Sequence, residues 1–422
     1  MLKRITIKIS NRERNKKVKV LFVVSTFPAL SETFILNQIT GLIDEGHDVE
    51  IVACQKSSNL KYHPDVDKYQ LMSKVTFINI PTTAGKKLIN GFKVLASNVM
   101  KQPKVCFEML RFRKYGKYVF SLRPLLFIPF FSKKKEWDAI ICHYGSNGLL
   151  ATMFQQVAGL QGETVTFFHG NDITGFVRRF GQDIYRTLFL SNNVLLPISK
   201  LWGTKLIEYG AKEENIIVHH MGVDLNRFNY VPIIDKESTV AKILLVGRLT
   251  YKKGIDIAIE SVAYLKEKGI NVSLTIIGDG EEKERLLHKI SELNVGKQII
   301  LKGWLTQEEV NKEIEESTLI ILPSRTATNG DMEGIPVSLM EAMARGKLVI
   351  STYHSGIPEL IKNELNGWLI PENDSLALAS KIEEVLKSRD LWSDISYSAR
   401  KTIQEEFNIE KLNKRLVQIV QR

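Results

Sequence analysis

Cysteine is scarce: three in 422 residues, at positions 54, 106 and 142. Cys54, Cys106 and Cys142 form no CxxC pair and no zinc-like spacing with histidine. That excludes a disulfide scaffold and predicts reduced thiols in a cytosolic protein. No apolar run approaches the ~18 residues of a membrane-spanning helix. Residues 1–17 are basic, yet they lack the apolar core and small-residue cleavage site of a signal peptide. They predict a frayed tail. Short internal repeats and low-complexity tracts are also absent.

Acidic residues are scarce in one place. Residues 1–225 hold 31 Lys and Arg against 18 Asp and Glu, and the remainder is close to neutral. Within the first half, residues 84–135 carry 13 basic residues and a single acid, Glu108. Lys86, Lys87, Lys93, Lys101, Lys104, Arg111, Arg113, Lys114 and Lys117 alternate with Phe92, Val94, Leu95, Phe107, Met109, Leu110 and Phe112. The run LLFIPFF follows at 125–131, then Lys133, Lys134 and Lys135. A basic segment with bulky apolar residues suits an anionic membrane surface, and the alternative is core helices with solvated basic faces. No DNA- or RNA-binding motif accompanies it, so nucleic acid is not the expected partner.

What the chain does have is alternation. Residues 18–25, VKVLFVVS, form a continuous apolar run that suits a strand buried on both faces. Ser31 is a candidate N-cap for a helix ending at Gly46, and 47–53 is the next strand, completing a βαβ unit. Further strands are expected at 139–142, 164–168 and 194–197, and one starting at 215. The alternation restarts at 242–247 and runs through strands at 272–278, 298–302, 319–322 and 348–351. The class is therefore α/β, with doubly wound Rossmann-like sheets. The expected organisation is a domain over 18–229, a second over 230–397, and a terminal helix over 398–421 that returns to the first.

The segment 323–346, PSRTATNGDMEGIPVSLMEAMARG, is the most informative. A polar, glycine-containing loop leads to Pro336, suited to the first helical position, and Gly346 suits the stop. The amides of Val337, Ser338 and Leu339 would form a positive helix terminus able to hold a phosphate. Glu333 stands just before that terminus, and Glu341 in its second turn.

Glu333 and Glu341, with seven residues between them inside EGIPVSLMEAMARG, resemble the E-x7-E motif of the retaining family-4 (group 1) glycosyltransferases. The resemblance implies the GT-B fold, two Rossmann-like domains facing a central cleft. It further implies that Glu341 binds the donor ribose and Glu333 the donor sugar, with Gly334 and Ile335 lining the same loop. Gly247-Arg248-Leu249 and Lys252-Lys253-Gly254 resemble the family's phosphate-binding stretch, with Arg248 and Lys253 stabilising the departing nucleoside diphosphate. Gly278-Asp279-Gly280 resembles the donor-side turn. Gly303-Trp304-Leu305 falls where the family holds the nucleobase, where Trp304 either stacks on the base or packs in the core.

Phe167-Phe168-His169-Gly170 resembles the family's His-Gly facing the donor sugar. The resemblance gives His169 a hydrogen bond to that sugar or its phosphate. Asp172 is an orienter of His169 or a helix cap. His143, closing another strand, either contacts donor or acceptor or serves the core. FPALSETF at 27–34 lacks the family's Gly-Gly pair and resembles instead the exopolysaccharide, colanic-acid and lipopolysaccharide subgroup; there Glu32 and Thr33 touch the acceptor or cap a helix.

The implied reaction moves a hexose from a nucleoside diphosphate sugar, UDP-linked for preference, to a hydroxyl of a lipid-linked saccharide, with retention at the anomeric carbon. It implies no metal and no cofactor, and a cytoplasmic enzyme peripheral on the inner membrane face. A sugar-nucleotide epimerase on the same fold and a non-catalytic membrane scaffold are the alternatives.

Overall fold

A computed structural model describes residues 17–29, 32–57, 62–132, 136–233 and 240–421. Most of the basic tail, the Ser31 cap and the Lys133–Lys135 run lie outside the described residues. The chain divides into two compact units, 1–219 with 409–422, and 220–408.

The first unit is built on six parallel strands. They are β1 (Lys19–Phe27), β2 (Asp48–Lys56), β3 (Val75–Phe77), β4 (Ala139–His143), β5 (Glu163–Phe168) and β6 (Val194–Pro197). Their order is β3-β2-β1-β4-β5-β6. Val20 to Val24 and Ala139 to His143 are buried along their whole length because helices cover both faces. The order reverses between β1 and β4, which opens a crevice at their C-terminal ends where α/β sheets bind ligands. The Gly145–Ala158 helix starts there, directly after β4.

The second unit repeats the plan with β7 (Ala241–Val246), β8 (Val272–Ile277), β9 (Ile299–Gly303), β10 (Leu319–Leu322), β11 (Leu348–Thr352) and β12 (Trp368–Ile370). The order β12-β11-β10-β7-β8-β9 places its reversal between β10 and β7. The short strands β3 and β12 carried too little apolar pattern to be expected. Both sheets are parallel throughout, and the fold is GT-B.

Three expectations need correction. The strand expected from 215 does not form: the segment makes only single bridges, Leu195 to Ile216 and Val223 to Asn408. The terminal helix is two, Trp392–Glu406 and Ile409–Val420, and only the second belongs to the first unit. It packs there against the Thr33–Asp44 helix. LLFIPFF is not a surface patch: Leu125, Leu126, Phe127, Ile128, Phe130 and Phe131 are all buried. Phe131 packs on Phe154 with ring centres 4.7 Å apart. An apolar run reads the same whether it faces lipid or a neighbouring helix, and here a helix takes it.

Candidate functional site

The turn after β7 and the loop after β10 leave the two strands that flank the second unit's reversal, and they meet over it. Gly254 makes the turn possible, with φ +63° and an ideal Cβ position 1.9 Å from the Pro323 carbonyl oxygen. No side chain fits so close an approach. Lys253 Nζ lies 3.0 Å from Glu333 Oε2, and Lys252 Nζ lies 3.5 Å from Glu333 Oε1 and 3.1 Å from Asp331 Oδ2. Burial alone would raise the Glu333 carboxyl, but Lys253 and Lys252 overcome it and hold the group below its ordinary range. Glu333 is thus a buried carboxylate between two ammonium groups.

Two further bond networks fix these strands' loops. Arg325 is buried, with its guanidinium on both Asp256 oxygens at 2.8 Å and on the Tyr251 carbonyl at 3.0 Å, stacked 3.6 Å from the centre of the Tyr251 ring. Burial would raise the Asp256 carboxyl, and Arg325 with Arg285 brings it below the usual range. The Glu333 N–H donates to His354 Nε2 at 3.0 Å. His354 Nδ1 therefore carries the proton and donates to Glu372 Oε1 at 2.6 Å. Glu372 Oε2 accepts the Thr326 N–H at 2.8 Å. His354 and Glu372 thereby staple both ends of the 326–333 loop.

The Val337–Ala344 helix begins one residue later than expected, with Pro336 as its extended N-cap. The Leu339 N–H bonds back to the Pro336 carbonyl at 3.2 Å, so Val337 and Ser338 supply the terminal amides. The side chains of Ile335 and Leu339 are buried in the core, and only their backbone can serve a ligand. Glu341 is half-buried, and burial pushes its carboxyl up to about 7, partly offset by Arg345 and Gln307.

Three strand ends are tied side by side. The Gly247 N–H donates to Ile277 O at 3.0 Å and the Gly278 N–H to Gly303 O at 2.8 Å. Gly278, at φ +141°, has its Cβ position 1.9 Å from the Gly247 carbonyl oxygen. Trp304 is half exposed, not a core residue. The Arg248 side chain is 72% exposed and reaches Glu281 at 3.7 Å. Asp279 accepts the Gly280 N–H at 2.9 Å, as a turn residue does.

In the first unit, His143 and His169 close β4 and β5 and face each other, Nδ1 to Nε2, at 3.0 Å. His143 stacks on Phe167, ring centres 4.9 Å apart. Burial lowers His169 to about 3 and lowers His143 too, so the pair is neutral at physiological pH, one ring donating to the other. Asp172 takes the backbone N–H groups of His169, Gly170 and Gly145 at 2.9–3.0 Å. It clamps the His169 main chain and the start of the Gly145–Ala158 helix, not the imidazole. Burial raises it to about 6 despite those bonds. Tyr144, at φ +73°, donates its hydroxyl to Glu32 Oε1 at 2.6 Å. Burial raises Glu32, and the Tyr144 bond opposes it. Thr33 is the first residue of its helix.

Residues 226–402 match the family of glycosyl transferases group 1. The chain is 36% identical over 409 residues to the amylovoran biosynthesis glycosyltransferase AmsK of Erwinia amylovora, covering 96% of this chain and 100% of that one. It is 35% identical over 407 residues to the putative colanic acid biosynthesis glycosyltransferase WcaL of Escherichia coli K12, again covering 96% and 100%. The chain belongs to the group 1 glycosyltransferases. Among solved structures, HepE of Anabaena in complex with UDP-glucose aligns with TM-score 0.68 at 16% identity, over 95% of this chain and 99% of that one. The lipopolysaccharide outer core galactosyltransferase WaaB aligns with TM-score 0.66 at 18% identity, over 95% and 99%.

In this glycosyltransferase the second unit brings Lys253, Glu333 and the Val337–Ala344 terminus together. It leaves Arg248 apart on the surface, with no bond to that group among the described residues. Lys252 bonds the same carboxylate as Lys253. Arg325, Asp256, His354 and Glu372 escaped the sequence reading. Their partners lie 18 to 74 residues away, and no local spacing pairs them. Tyr144 escaped too, although its place directly after His143 at a strand end was a usable signal.

Proposed function

We propose that this glycosyltransferase moves a hexose from a UDP-sugar to a hydroxyl of a lipid-linked saccharide in surface polysaccharide assembly. The transfer keeps the anomeric configuration and uses no metal. The observation that carries the donor reading is the Lys252–Lys253–Glu333 cluster at the N-terminus of the Val337–Ala344 helix. A diphosphate seated there meets two ammonium groups and the terminal amides of Val337 and Ser338, enough positive charge to stabilise a departing nucleoside diphosphate. Glu333, held by the same lysines, contacts the sugar, and Glu341 takes the ribose hydroxyls. Arg248 joins the phosphates on this reading, a role that rests on the resemblance. His169 contacts the sugar as a neutral hydrogen-bonding group, a role that rests on the resemblance. Polysaccharide assembly is supported by the biosynthetic names of AmsK and WcaL, and UDP by the HepE complex.

The same reading places the enzyme on an anionic membrane. Among the described residues no helix is long and apolar enough to cross a bilayer. The Ala84–Asn98 helix buries only Gly91. Leu88, Ile89, Phe92, Met100, Phe107, Phe112 and Phe120 are exposed, beside exposed Lys86, Lys93, Lys101, Lys104, Arg111 and Arg113. Bulky apolar groups ringed by cations suit an anionic interface. Flotation with phosphatidylglycerol vesicles tests this, and loss of flotation in a Phe92→Ala, Phe107→Ala variant is expected.

Calorimetric titration with UDP and GDP tests the donor reading. Micromolar UDP binding, insensitive to EDTA and lost in an Arg248→Ala, Lys253→Ala variant, is expected. Failure to bind either nucleotide sinks it.

A further inference from the structure

Arg123 lies in the first unit, apart from the Lys252–Lys253–Glu333 cluster, and its surroundings are unusual for a cation. It opens the short Arg123–Leu126 helix, and the residue before it, Leu122, is held at φ +54°. A bulky non-glycine residue in the left-handed region costs backbone energy, and such residues gather where a side chain must be delivered to a defined place. Arg123 reaches the crevice between β1 and β4. Its guanidinium donates to Cys54 Sγ at 2.7 Å, to Ser146 Oγ at 3.4 Å and to Asn147 Oδ1. Asn147 in turn lies 3.5 Å from Ser25 Oγ on β1.

All of these acceptors are neutral. Burial pushes the Cys54 thiol up against the opposing pull of Arg123, so it stays protonated. Burial pushes the neighbouring Tyr118 hydroxyl up to about 12 and raises the Cys142 thiol as well. Among the described residues no carboxylate pairs with Arg123. Its Nε–H is buried and has no acceptor. Arg123 is half-buried, and a guanidinium withdrawn even that far from water is ordinarily paired with an anion, because desolvating an isolated charge is costly. The group stands beside the first turn of the Gly145–Ala158 helix, whose Gly145 amide is already capped by Asp172 and whose Asn147 amide bonds to the Tyr144 carbonyl, so the guanidinium itself carries the unmet positive charge there. A switch-point crevice and a guanidinium with no carboxylate partner, one of its N–H groups unmet, coincide at one spot.

We propose that Arg123 is the core of an oxyanion-binding site in the first unit, which takes a phosphate or carboxylate group of the acceptor. Arginine presents a planar fork that matches either anion. The acceptor then arrives as an anion recognised by charge, and its hydroxyl is aligned from that anchor. The identity of the ligand as acceptor rests on the proposed transferase reaction, whereas the anion site itself does not.

The test uses the full chain and two simple probes, inorganic phosphate and glucuronate, each titrated and followed by NMR. Three proteins are compared: wild type, Arg123→Gln and Cys54→Asp. The last keeps the arginine and hands it an internal carboxylate. Anion binding by the second unit is common to all three, so the difference between them reports Arg123. The expected result is a site for one probe that weakens about tenfold or more in both variants, together with a higher Tm for Cys54→Asp. Selective loss of phosphate identifies a phosphorylated acceptor, and selective loss of glucuronate an acidic sugar. Equal anion affinities in all three proteins overturn the proposal. If Arg123→Gln does not fold, Cys54→Asp decides alone: unchanged anion binding beside its new carboxylate rules the site out. Loss of UDP binding in wild type would sink the donor reading and leave this outcome unaffected.

Discussion

The two units share one strand order and solve the problem of charge at the reversal in opposite ways. In the second unit both signs are present: Glu333 is enclosed by Lys252 and Lys253, and Asp256 by Arg325 and Arg285. In the first unit the groups are neutral or one-sided: His143 with His169, Asp172 satisfied by amides, and Arg123 among neutral acceptors. Fold therefore dictates where a ligand sits, and the loops decide what it meets. On the proposed donor reading, a diphosphate entering the second unit shares Lys252 and Lys253 with Glu333.

The sharpest way to break the comparison is to make the second unit one-sided too. A Lys252→Ala, Lys253→Ala variant leaves Glu333 buried without a counter-ion. Destabilisation of about 3–5 kcal/mol in urea unfolding is expected, with loss of transfer activity. Glu333→Gln added to that pair should recover most of the stability and none of the activity. Acid acts in the same direction. Glu333 is held below its ordinary range in the folded state, so its contribution is full at neutral pH and fades as pH falls through that lowered value. The triple variant should lose that acid limb. No recovery by Glu333→Gln would mean that the pair is not what stabilises the loop.

Next in size is the glycine ladder. Gly278→Ala puts a methyl group 1.9 Å from the Gly247 carbonyl oxygen at φ +141°, and both faults are in the backbone. A loss of about 3 kcal/mol is expected, read as a lower midpoint in denaturant. Gly303→Ala serves as the control, because its Cβ meets nothing within 4 Å and only its φ of +68° is strained. Its loss should be about 1 kcal/mol. Equal losses would show that conformation alone, not the close approach, demands glycine at 278.

These glycines were readable in advance because they punctuate apolar runs, and the E-x7-E segment was readable because a loop, a Pro and a short helix lie contiguous in sequence. The doubly wound class followed from the same alternation. What escaped reading is tertiary. Arg325 finds Asp256 across 69 residues, and His354 finds Glu333 across 21, because parallel strands bring their ends together. LLFIPFF misled for a related reason: basic neighbours suggest an interface, while its partners Trp137 and Phe154 lie further along the chain, in the connection before β4 and on the helix after it. The first unit suffers most, since its site is assembled from six separated segments.

The His354 staple offers a finer test of the second unit. His354→Phe keeps a ring of similar shape and removes both bonds, about 1 kcal/mol each. Faster amide exchange confined to 326–333, a kcat lowered about tenfold and unchanged UDP affinity are expected, as for a residue that aligns Glu333 without touching the nucleotide. A matching loss of UDP affinity would show that the whole donor loop has collapsed.

The smallest effect concerns Glu341, the residue where the second unit resembles the first in bearing a group raised by burial. Its carboxyl titrates near 7 in the folded protein and lower in the unfolded chain. Below pH 4 both states are protonated and the group is neutral to stability. Between about 4.5 and 7 the unfolded chain releases a proton that the folded protein retains, so stability falls as pH rises, and the whole penalty is present above 7. Glu341→Gln removes that penalty. Its Tm should match wild type at pH 4 and exceed it by a few degrees at pH 8. Ribose hydroxyls donate to the ionised carboxylate, so UDP binding to wild type should release a proton near neutral pH and tighten between pH 6 and 8. In the Gln variant UDP should bind more weakly and without that pH dependence. Parallel pH curves for the two proteins would remove Glu341 from the ribose contact, while the lysine-held Glu333 would keep its place.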